Sequence, residues 1–270
     1  MILLPQSPKR SINKAYLKQR PLRSDIDLFK VNLLKLLSKV DEIEREENQK
    51  NHIRDFLRDT FFKDNYEINT KDTKDLVVHL SKSNKAKVAV IIEAKRPTNK
   101  AEMITKDNPN AKGLHELILY YFDERNRADN NELKHLIISN VYEWFIFDAN
   151  FFDKLFYRNT KIKRLYDTYI NDKKDTPFFY EEIRKIIPEI DSDLPCAYFD
   201  IRDYENILNN KDTEDDKDLI ALFKVLSAVN ILKLPFADDS NKLDEKFYKE
   251  LLHIIGLEEV KEKNKLIIRR

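Results

Sequence analysis

The spacing of apolar residues changes from a helical period to a period of two and back again along the chain. Up to residue 65, apolar side chains recur three and four positions apart, which predicts two amphipathic helices, the first with Ser24 as its N-cap. Short apolar or alternating runs then predict strands on either side of a further helix. The elements predicted in this half are helices from Ser24 and over 47–62, strands over 66–69, 75–80 and 88–94, a helix from about Asn110, and strands over 135–139 and 143–149.

The second half of the chain is mostly helical in pattern. The predicted helices cover 150–157, 161–171, 177–187, 216–226 and 243–255, a short strand covers 197–201, and the charged stretch 209–218 is the clearest candidate linker. The order helix, three strands, helix, two strands predicts an α/β sandwich followed by a helical extension. This divides the chain into a basic N-terminal arm (1–23), a core (24–158) and an extension (159–270).

The charge balance limits the surfaces that could bind nucleic acid. The chain has 49 basic and 48 acidic side chains and a formal net charge of +1, so any cationic binding surface must be local. The arm contains six cations and no acidic residue, and we expect it to be ordered only where something holds it.

Glycine and cysteine usage excludes several classes of site. With only two glycines, the chain has no Gly-rich phosphate loop, no dinucleotide fingerprint and no S-adenosylmethionine site of the Gly-rich type. The single Cys196 excludes an intramolecular disulfide and a multi-cysteine zinc site, which favours a reducing, cytoplasmic compartment. No apolar run approaches the length of a membrane span, so we expect no membrane partner.

The stretch KVAVIIEAKRP, residues 87–97, ends an apolar strand in two opposite charges instead of a turn residue. Glu93 and Lys95 lie two positions apart and therefore project from the same face. A hairpin turn centred on Asn84 places Asp75 directly opposite Glu93. The same register predicts an apolar face made by the pairs Leu76–Ile92, Val78–Val90 and Leu80–Val88.

Two carboxylates that face each other across a strand pair repel, and a bound divalent cation would remove that repulsion. Carboxylates together with water and phosphate oxygens suit Mg²⁺, with Mn²⁺ as a possible substitute. Lys95 can place an ammonium near a metal-bound water or near charge developing on a phosphate. Asp75, Glu93 and Lys95 are therefore candidate catalytic residues of a phosphodiester hydrolysis site.

The spacing of Asp75 and Glu93-Ala94-Lys95 resembles the PD-(D/E)xK nuclease motif, although Lys74 stands where that motif often has proline. Runs such as VIIEAKRPTNKAEM and KHLIISNVYEWFIFDANFFDKLF are similar to the N-terminal region of type IIG restriction-modification enzymes, and the resemblance extends from about residue 14 to residue 260. It implies a restriction-endonuclease-like α/β core with a mixed central sheet flanked by helices, followed by a helical connector.

The same resemblance implies partners and roles. The partners would be double-stranded DNA and the methyltransferase and target-recognition regions, supplied in cis or as a separate subunit, since their motifs are absent from this chain. Asp75 and Glu93 would hold the metal, the Ala94 carbonyl could be a further ligand, and Lys95 would orient or activate the attacking water.

A glutamate from the helix before the sheet often assists the metal in this family, and two neighbouring residues could supply it. Helical periodicity places Glu46 on the face of Ile53, whereas comparison with related restriction nucleases favours Glu47, which we select. An ordinary acidic residue in the first turn of a helix is the structural alternative.

Lys100, Lys112 and His115 follow the E-x-K segment and are candidate DNA contacts, although surface lysines often only interact with solvent. For His115, a solvated position on a helix is the favoured alternative to a phosphate contact. The function predicted from the sequence is a Mg²⁺-dependent DNA endonuclease domain that leaves breaks at a distance from a sequence read elsewhere. A catalytically silent scaffold of the same fold, docking DNA or a partner protein, is the alternative from a different class. An RNA-specific or structure-specific nuclease of this fold is the other rival.

Overall fold

The computed structural model describes residues 1–42, 44–210, 216–235, 245–262 and 265–269, and its centre is a sheet of seven strands. The strands of the chain are β1 (Ile2–Gln6), β2 (Ile68–Lys71), β3 (Lys74–His79), β4 (Val88–Ala94), β5 (His135–Ser139), β6 (Glu143–Asp148), β7 (Asp193–Asp200), β8 (Glu258–Glu262) and β9 (Lys265–Arg269). The central sheet has the order β1-β7-β6-β5-β4-β3-β2. Since β1 is parallel to β7 and β4 to β5 while the other neighbours are antiparallel, the predicted α/β fold with a mixed sheet is confirmed.

Helices precede, interrupt and follow the strands of this sheet. They are α1 (Pro8–Ser11), α2 (Lys14–Lys18), α3 (Arg23–Lys39), α4 (Glu46–Leu57), α5 (Lys112–Asn126), α6 (Ala149–Phe152), α7 (Thr160–Asn171), α8 (Thr176–Ile186), α9 (Glu205–Asn209), α10 (Asp216–Leu226), α11 (Ala228–Ile231) and α12 (Glu245–Ile254). Turns of π-helix extend α4 to Phe62 and α6 to Tyr157. Among the described residues, no helix has both the length and the apolar character needed to span a membrane.

Both faces of the central sheet are buried at β3 and β4. Val77 and Ile91 share one hydrophobic core with apolar residues of α5, α7 and α8. Leu76 and Ile92 are also fully buried and, because side chains alternate along a strand, they point to the opposite face. The helix α4 contacts β3 and β4 and packs on α3, which in turn contacts α10. The hairpin β3–β4 is therefore fixed between helices at both faces.

The register of this hairpin follows the prediction over most of its length. The hydrogen-bonded ladder of β3 and β4 begins next to Asp75 and Glu93. At its other end the register shifts, since His79 pairs with Val88 and a bulge leaves Ala89 without a partner in the register. The predicted pairing of Leu80 with Val88 is therefore wrong. The pairs that the structure shows before the bulge are Leu76–Ile92, Val77–Ile91 and Val78–Val90.

The regions predicted from the sequence divide the chain differently from the structure. The first strand β1 lies within the predicted arm, and β7 lies within the predicted extension, yet both belong to the central sheet. One compact unit comprises residues 1–12 and 20–234, and a second comprises 13–19 and 235–270, with α2, α12 and the hairpin β8–β9. The predicted boundaries at residues 23 and 158 do not separate compact units.

Two local predictions also differ from the structure. The helix α3 begins at Arg23 after Leu22, so Ser24 lies inside its first turn and is not the N-cap. The predicted linker 209–218 overlaps the end of α9 and the start of α10, and its residues 211–215 lie outside the described part of the chain.

The buried side chain of Leu3 allows a test of the position of β1 in the sheet. Replacing Leu3, which is 3% exposed, by Ala is expected to lower the free energy of unfolding by about 2–3 kcal/mol, because it leaves a cavity in the core. The same change at Leu4, which is 42% exposed, should cost less than about 1 kcal/mol. Urea denaturation of both variants measures the difference, and equal losses would contradict the observed packing.

Candidate active site

The hairpin β3–β4 brings two carboxylates to one end of the sheet. Asp75 is the second residue of β3, and Glu93 is the last but one of β4. The backbone amide of Ala94 donates a hydrogen bond of 2.9 Å to Oδ2 of Asp75, which fixes this carboxylate against β4. The amide of Lys95 donates to the Ser139 carbonyl at 2.8 Å and holds the segment after β4 against β5. The E-x-K segment is therefore held from both neighbouring strands.

A carboxylate from α4 completes an acidic cluster. One oxygen each of Glu46, Asp75 and Glu93 lies within 4.8 Å of the others. The neighbouring Glu47, the residue favoured by the resemblance to restriction nucleases, has a side chain that is 62% exposed and forms an ion pair with Lys50. Of the two neighbouring glutamates, Glu46 is the one whose carboxylate joins Asp75 and Glu93, so the geometry favours Glu46 over Glu47 as the third carboxylate. Partial burial raises the pKa of Glu46.

The ammonium group of Lys95 lies buried among carboxylates. Its Nζ is 2.6 Å from Oε1 of Glu93 and 2.7 Å from Oε2 of Glu116, which α5 contributes. Oxygens of Glu46 and Glu102 follow at 3.7 Å each. Glu116 was not predicted as a site residue. The signal for it was a carboxylate inside the apolar run of α5, where burial requires a cationic partner.

Burial and mutual repulsion determine the charge states at this site. Burial raises the pKa of Glu93 well above its ordinary value, and the nearby Glu116 raises it further, while Lys95 lowers it. Burial also raises the pKa of Asp75, although the Ala94 amide partly opposes this. For Lys95, burial lowers the pKa, but Glu93 and Glu116 outweigh that effect and the net shift is upward. Lys95 is therefore an ammonium at neutral pH.

The donor atoms at this site suit a hard divalent cation. Oε2 of Glu93 is buried and has no hydrogen-bond partner among the residues that the structure describes. All three groups of the cluster offer carboxylate oxygens, the ligand type that Mg²⁺ prefers. The residues present therefore fit Mg²⁺ or Mn²⁺, with Glu46, Asp75 and Glu93 as the holding groups.

The predicted DNA contacts have different environments. Lys112 forms an ion pair of 2.8 Å with Glu102, and a second of 3.6 Å with Glu116. His115 is fully buried, and its Nε2 bonds to Oδ1 of Asn110 at 2.8 Å. Burial lowers the pKa of His115 to about 4, so the ring is neutral near pH 7. The burial of His115 agrees neither with a phosphate contact nor with a solvated helix position, whereas Lys100 is exposed.

The chain matches two family models. One, described as Domain of unknown function (DUF7149), covers residues 6–239, which includes the whole site. The other, described as Domain of unknown function (DUF7814), covers residues 240–270. No curated protein and no solved structure matches the chain.

Proposed function

The chain belongs to the family described as Domain of unknown function (DUF7149), and from its site we propose that it is a Mg²⁺-dependent endonuclease domain that hydrolyses DNA phosphodiester bonds. The observation that carries the proposal is the meeting of Glu46, Asp75 and Glu93 within 4.8 Å, with the Lys95 ammonium 2.6 Å from Glu93. Carboxylates that hold a divalent cation beside a fixed ammonium are suited to phosphodiester hydrolysis, since charge develops on phosphate oxygens.

Each residue has a distinct part in this proposal. Glu46, Asp75 and Glu93 would hold the metal together with the Ala94 carbonyl. A bound Mg²⁺ would polarise the phosphate and lower the pKa of a water molecule. Lys95 remains protonated, so it donates hydrogen bonds to the attacking water or to the phosphate and does not accept a proton.

The resemblance to type IIG restriction-modification enzymes extends the proposal to the substrate and to the partner regions. Double-stranded DNA would be the substrate, and methyltransferase and target-recognition regions, in cis or on another subunit, would select the sequence. Cleavage then falls at a distance from the sequence that is read.

Cleavage assays on several nucleic acids test the proposal. The full chain is incubated with duplex DNA, single-stranded DNA and RNA, with Mg²⁺, with Mn²⁺ and with a chelator. We expect cuts in DNA only when a divalent cation is present. Binding of DNA without any cleavage would favour the silent scaffold, and cleavage restricted to RNA would favour a nuclease of different specificity.

Metal binding should also be measurable without DNA. Mg²⁺ or Mn²⁺ at ten to a hundred times its Kd is expected to stabilise the chain by about 1–3 kcal/mol, because it binds only the folded site. The rise in melting temperature should disappear in Glu93→Gln and persist in Glu47→Gln, whose carboxylate is exposed and does not belong to the cluster. The same rise in all proteins would place the bound metal elsewhere.

A further inference from the structure

A cavity of about 580 Å³ lies at the same end of the sheet as the carboxylate cluster. Its walls come from the segment after β4, from the turn between β5 and β6, and from the segment after β7. Its lining includes Glu42, Thr98, Lys100, Tyr142, Glu143 and Arg202. Its volume lies within the range of small-molecule sites.

The loop after β4 connects the cavity to the carboxylate cluster. Thr98 and Lys100 follow Lys95 by a few residues, and Oγ1 of Thr98 donates to the Glu42 carbonyl at 3.3 Å. Between them, Nδ2 of Asn99 donates to Oε2 of Glu102 at 3.1 Å, and that same oxygen is 3.7 Å from Nζ of Lys95. A group bound in the cavity would therefore be adjacent to the site of cleavage.

An aromatic ring backed by a guanidinium forms part of the cavity lining. The guanidinium carbon of Arg202 is 4.6 Å from the ring centre of Tyr142, and Tyr142 is half-buried. Asp200 accepts hydrogen bonds of 2.5–3.1 Å from the Arg202 side chain and fixes its plane. Aromatic rings and guanidinium planes are the surfaces on which proteins stack unpaired bases.

The charges in the lining suit a neutral flat group better than a phosphate. Lys100 and Arg202 are balanced by Glu42 and Glu143, and Asp200 neutralises Arg202 further. The Glu143 carboxylate accepts hydrogen bonds from Tyr198 Oη at 2.9 Å and from Asn140 Nδ2 at 3.1 Å. Such a held carboxylate can also accept from the exocyclic amine of a base.

The turn that presents Tyr142 has an unusual backbone. Val141, immediately before it, has a φ of 76°, a left-handed conformation that β-branched residues rarely adopt. Its amide donates to Ser139 Oγ at 3.0 Å, and its carbonyl accepts from Trp144 Nε1 at 2.8 Å. Backbone strain that the surroundings hold in place is concentrated at functional sites, which agrees with a binding role for this turn.

We propose that this cavity binds a nucleobase through stacking on Tyr142, and that the base belongs to an unpaired nucleotide of the DNA strand next to the phosphate that is cut. The proposal rests on the proposed nuclease function for the position of the cut. It names the substrate as DNA with a locally unpaired or extruded nucleotide. A free mononucleotide would offer the same base chemistry, and the experiment distinguishes the two sources.

Equilibrium binding without divalent cations tests the cavity independently of cleavage. Fluorescence anisotropy compares the full chain on a labelled DNA duplex with one unpaired adenosine, on the fully paired duplex, and on the corresponding RNA. We expect binding to the unpaired site to be about tenfold tighter than to the paired duplex, in line with the loss or gain of one stacked base. Tyr142→Ala should remove this preference, and Tyr142→Phe, which retains the ring, should keep it.

A second variant protects the test against misfolding. Thr98→Trp fills the cavity from an exposed loop position, leaves Tyr142 in place, and should also remove the preference. Competition by dAMP shows whether the base comes from a DNA strand or from a free mononucleotide. If dAMP displaces the labelled oligonucleotide only at concentrations far above that of the oligonucleotide, the cavity holds a base within a strand. Equal competition by dAMP, tighter binding of the RNA, or an unchanged preference in both variants would overturn the proposal.

Asp75→Asn separates this proposal from the proposed function. If Asp75→Asn abolishes cleavage but Tyr142→Ala leaves the binding preference unchanged, the nuclease proposal is supported and the base-binding proposal is rejected. If the binding preference depends on Tyr142 but Asp75→Asn cleaves at the parent rate, the base-binding proposal is supported and the assignment of the catalytic site is rejected.

Discussion

Asp75→Asn and Glu93→Gln are each expected to reduce the rate of DNA cleavage by about a thousandfold or more, the scale of loss seen when one member of a catalytic unit is removed. Both changes keep the shape of the side chain, so Asn at position 75 can still accept the bond from the Ala94 amide. Each removes one negative charge from the cluster that would hold the metal. Single-turnover cleavage of duplex DNA with saturating Mg²⁺ measures the effect.

Stability and a matched variant serve as controls for this prediction. The melting temperature of both variants without metal should remain near that of the parent, because each change relieves repulsion between buried carboxylates while Lys95 keeps Glu116 as a partner at 2.7 Å. Glu47→Gln removes a negative charge from the same helix as Glu46 but outside the cluster, and it should cleave at the parent rate. Parent-level cleavage by either Asp75→Asn or Glu93→Gln would exclude this cluster as the catalytic centre.

The hairpin at the centre of the site could be predicted from the sequence because residues close together in the chain determine its register. The turn position and the apolar alternation fix the register of Leu76 and Ile92, and with it the meeting of Asp75 and Glu93. The bulge that shifts His79 to Val88 could not be predicted, since no glycine or proline marks it.

Periodicity within α4 was the better guide to the third carboxylate. Gln49, Lys50 and Ile53 form the buried side of this helix, and Glu46 lies three to seven positions before them on the same side. Comparison with related nucleases pointed instead to Glu47. The choice between the adjacent Glu46 and Glu47 therefore depends on which of them lies on the buried side of α4 in this chain.

Contacts between distant segments account for what the sequence analysis missed. The strand β1 pairs with β7, and neither its short apolar run nor its proline signals a parallel partner almost at residue 200. Glu116 meets Lys95 only because α5 packs on β4 and β5. Such pairings depend on the topology of the whole sheet, which local patterns do not determine.

Lys95→Met is expected to destabilise the folded chain by about 3–5 kcal/mol near neutral pH, the cost of removing one partner of a buried ion pair. Without this ammonium, the carboxylates of Glu93 and Glu116 would remain buried with no cation at 2.6–2.7 Å. Lys112→Met is a matched control, since Lys112 also pairs with Glu116 but is 36% exposed, and it should cost less than about 1 kcal/mol. Urea denaturation measures both variants.

The pH dependence and a second substitution identify the cause of that loss. Because the pKa of Glu93 in the folded state lies above its ordinary value of 4.5, and loss of Lys95 raises it further, the folded state binds this proton more tightly than the unfolded state. The deficit of Lys95→Met should therefore be smallest below the folded-state pKa of Glu93 in the parent. It should grow as the pH rises through that value and level off above the higher folded-state pKa of Glu93 in the variant. Adding Glu116→Gln to Lys95→Met should recover part of the loss at pH 7, because it removes one of the two uncompensated charges. A deficit that is independent of pH and unaffected by Glu116→Gln would mean that Lys95 contributes through packing of its chain and not through its charge.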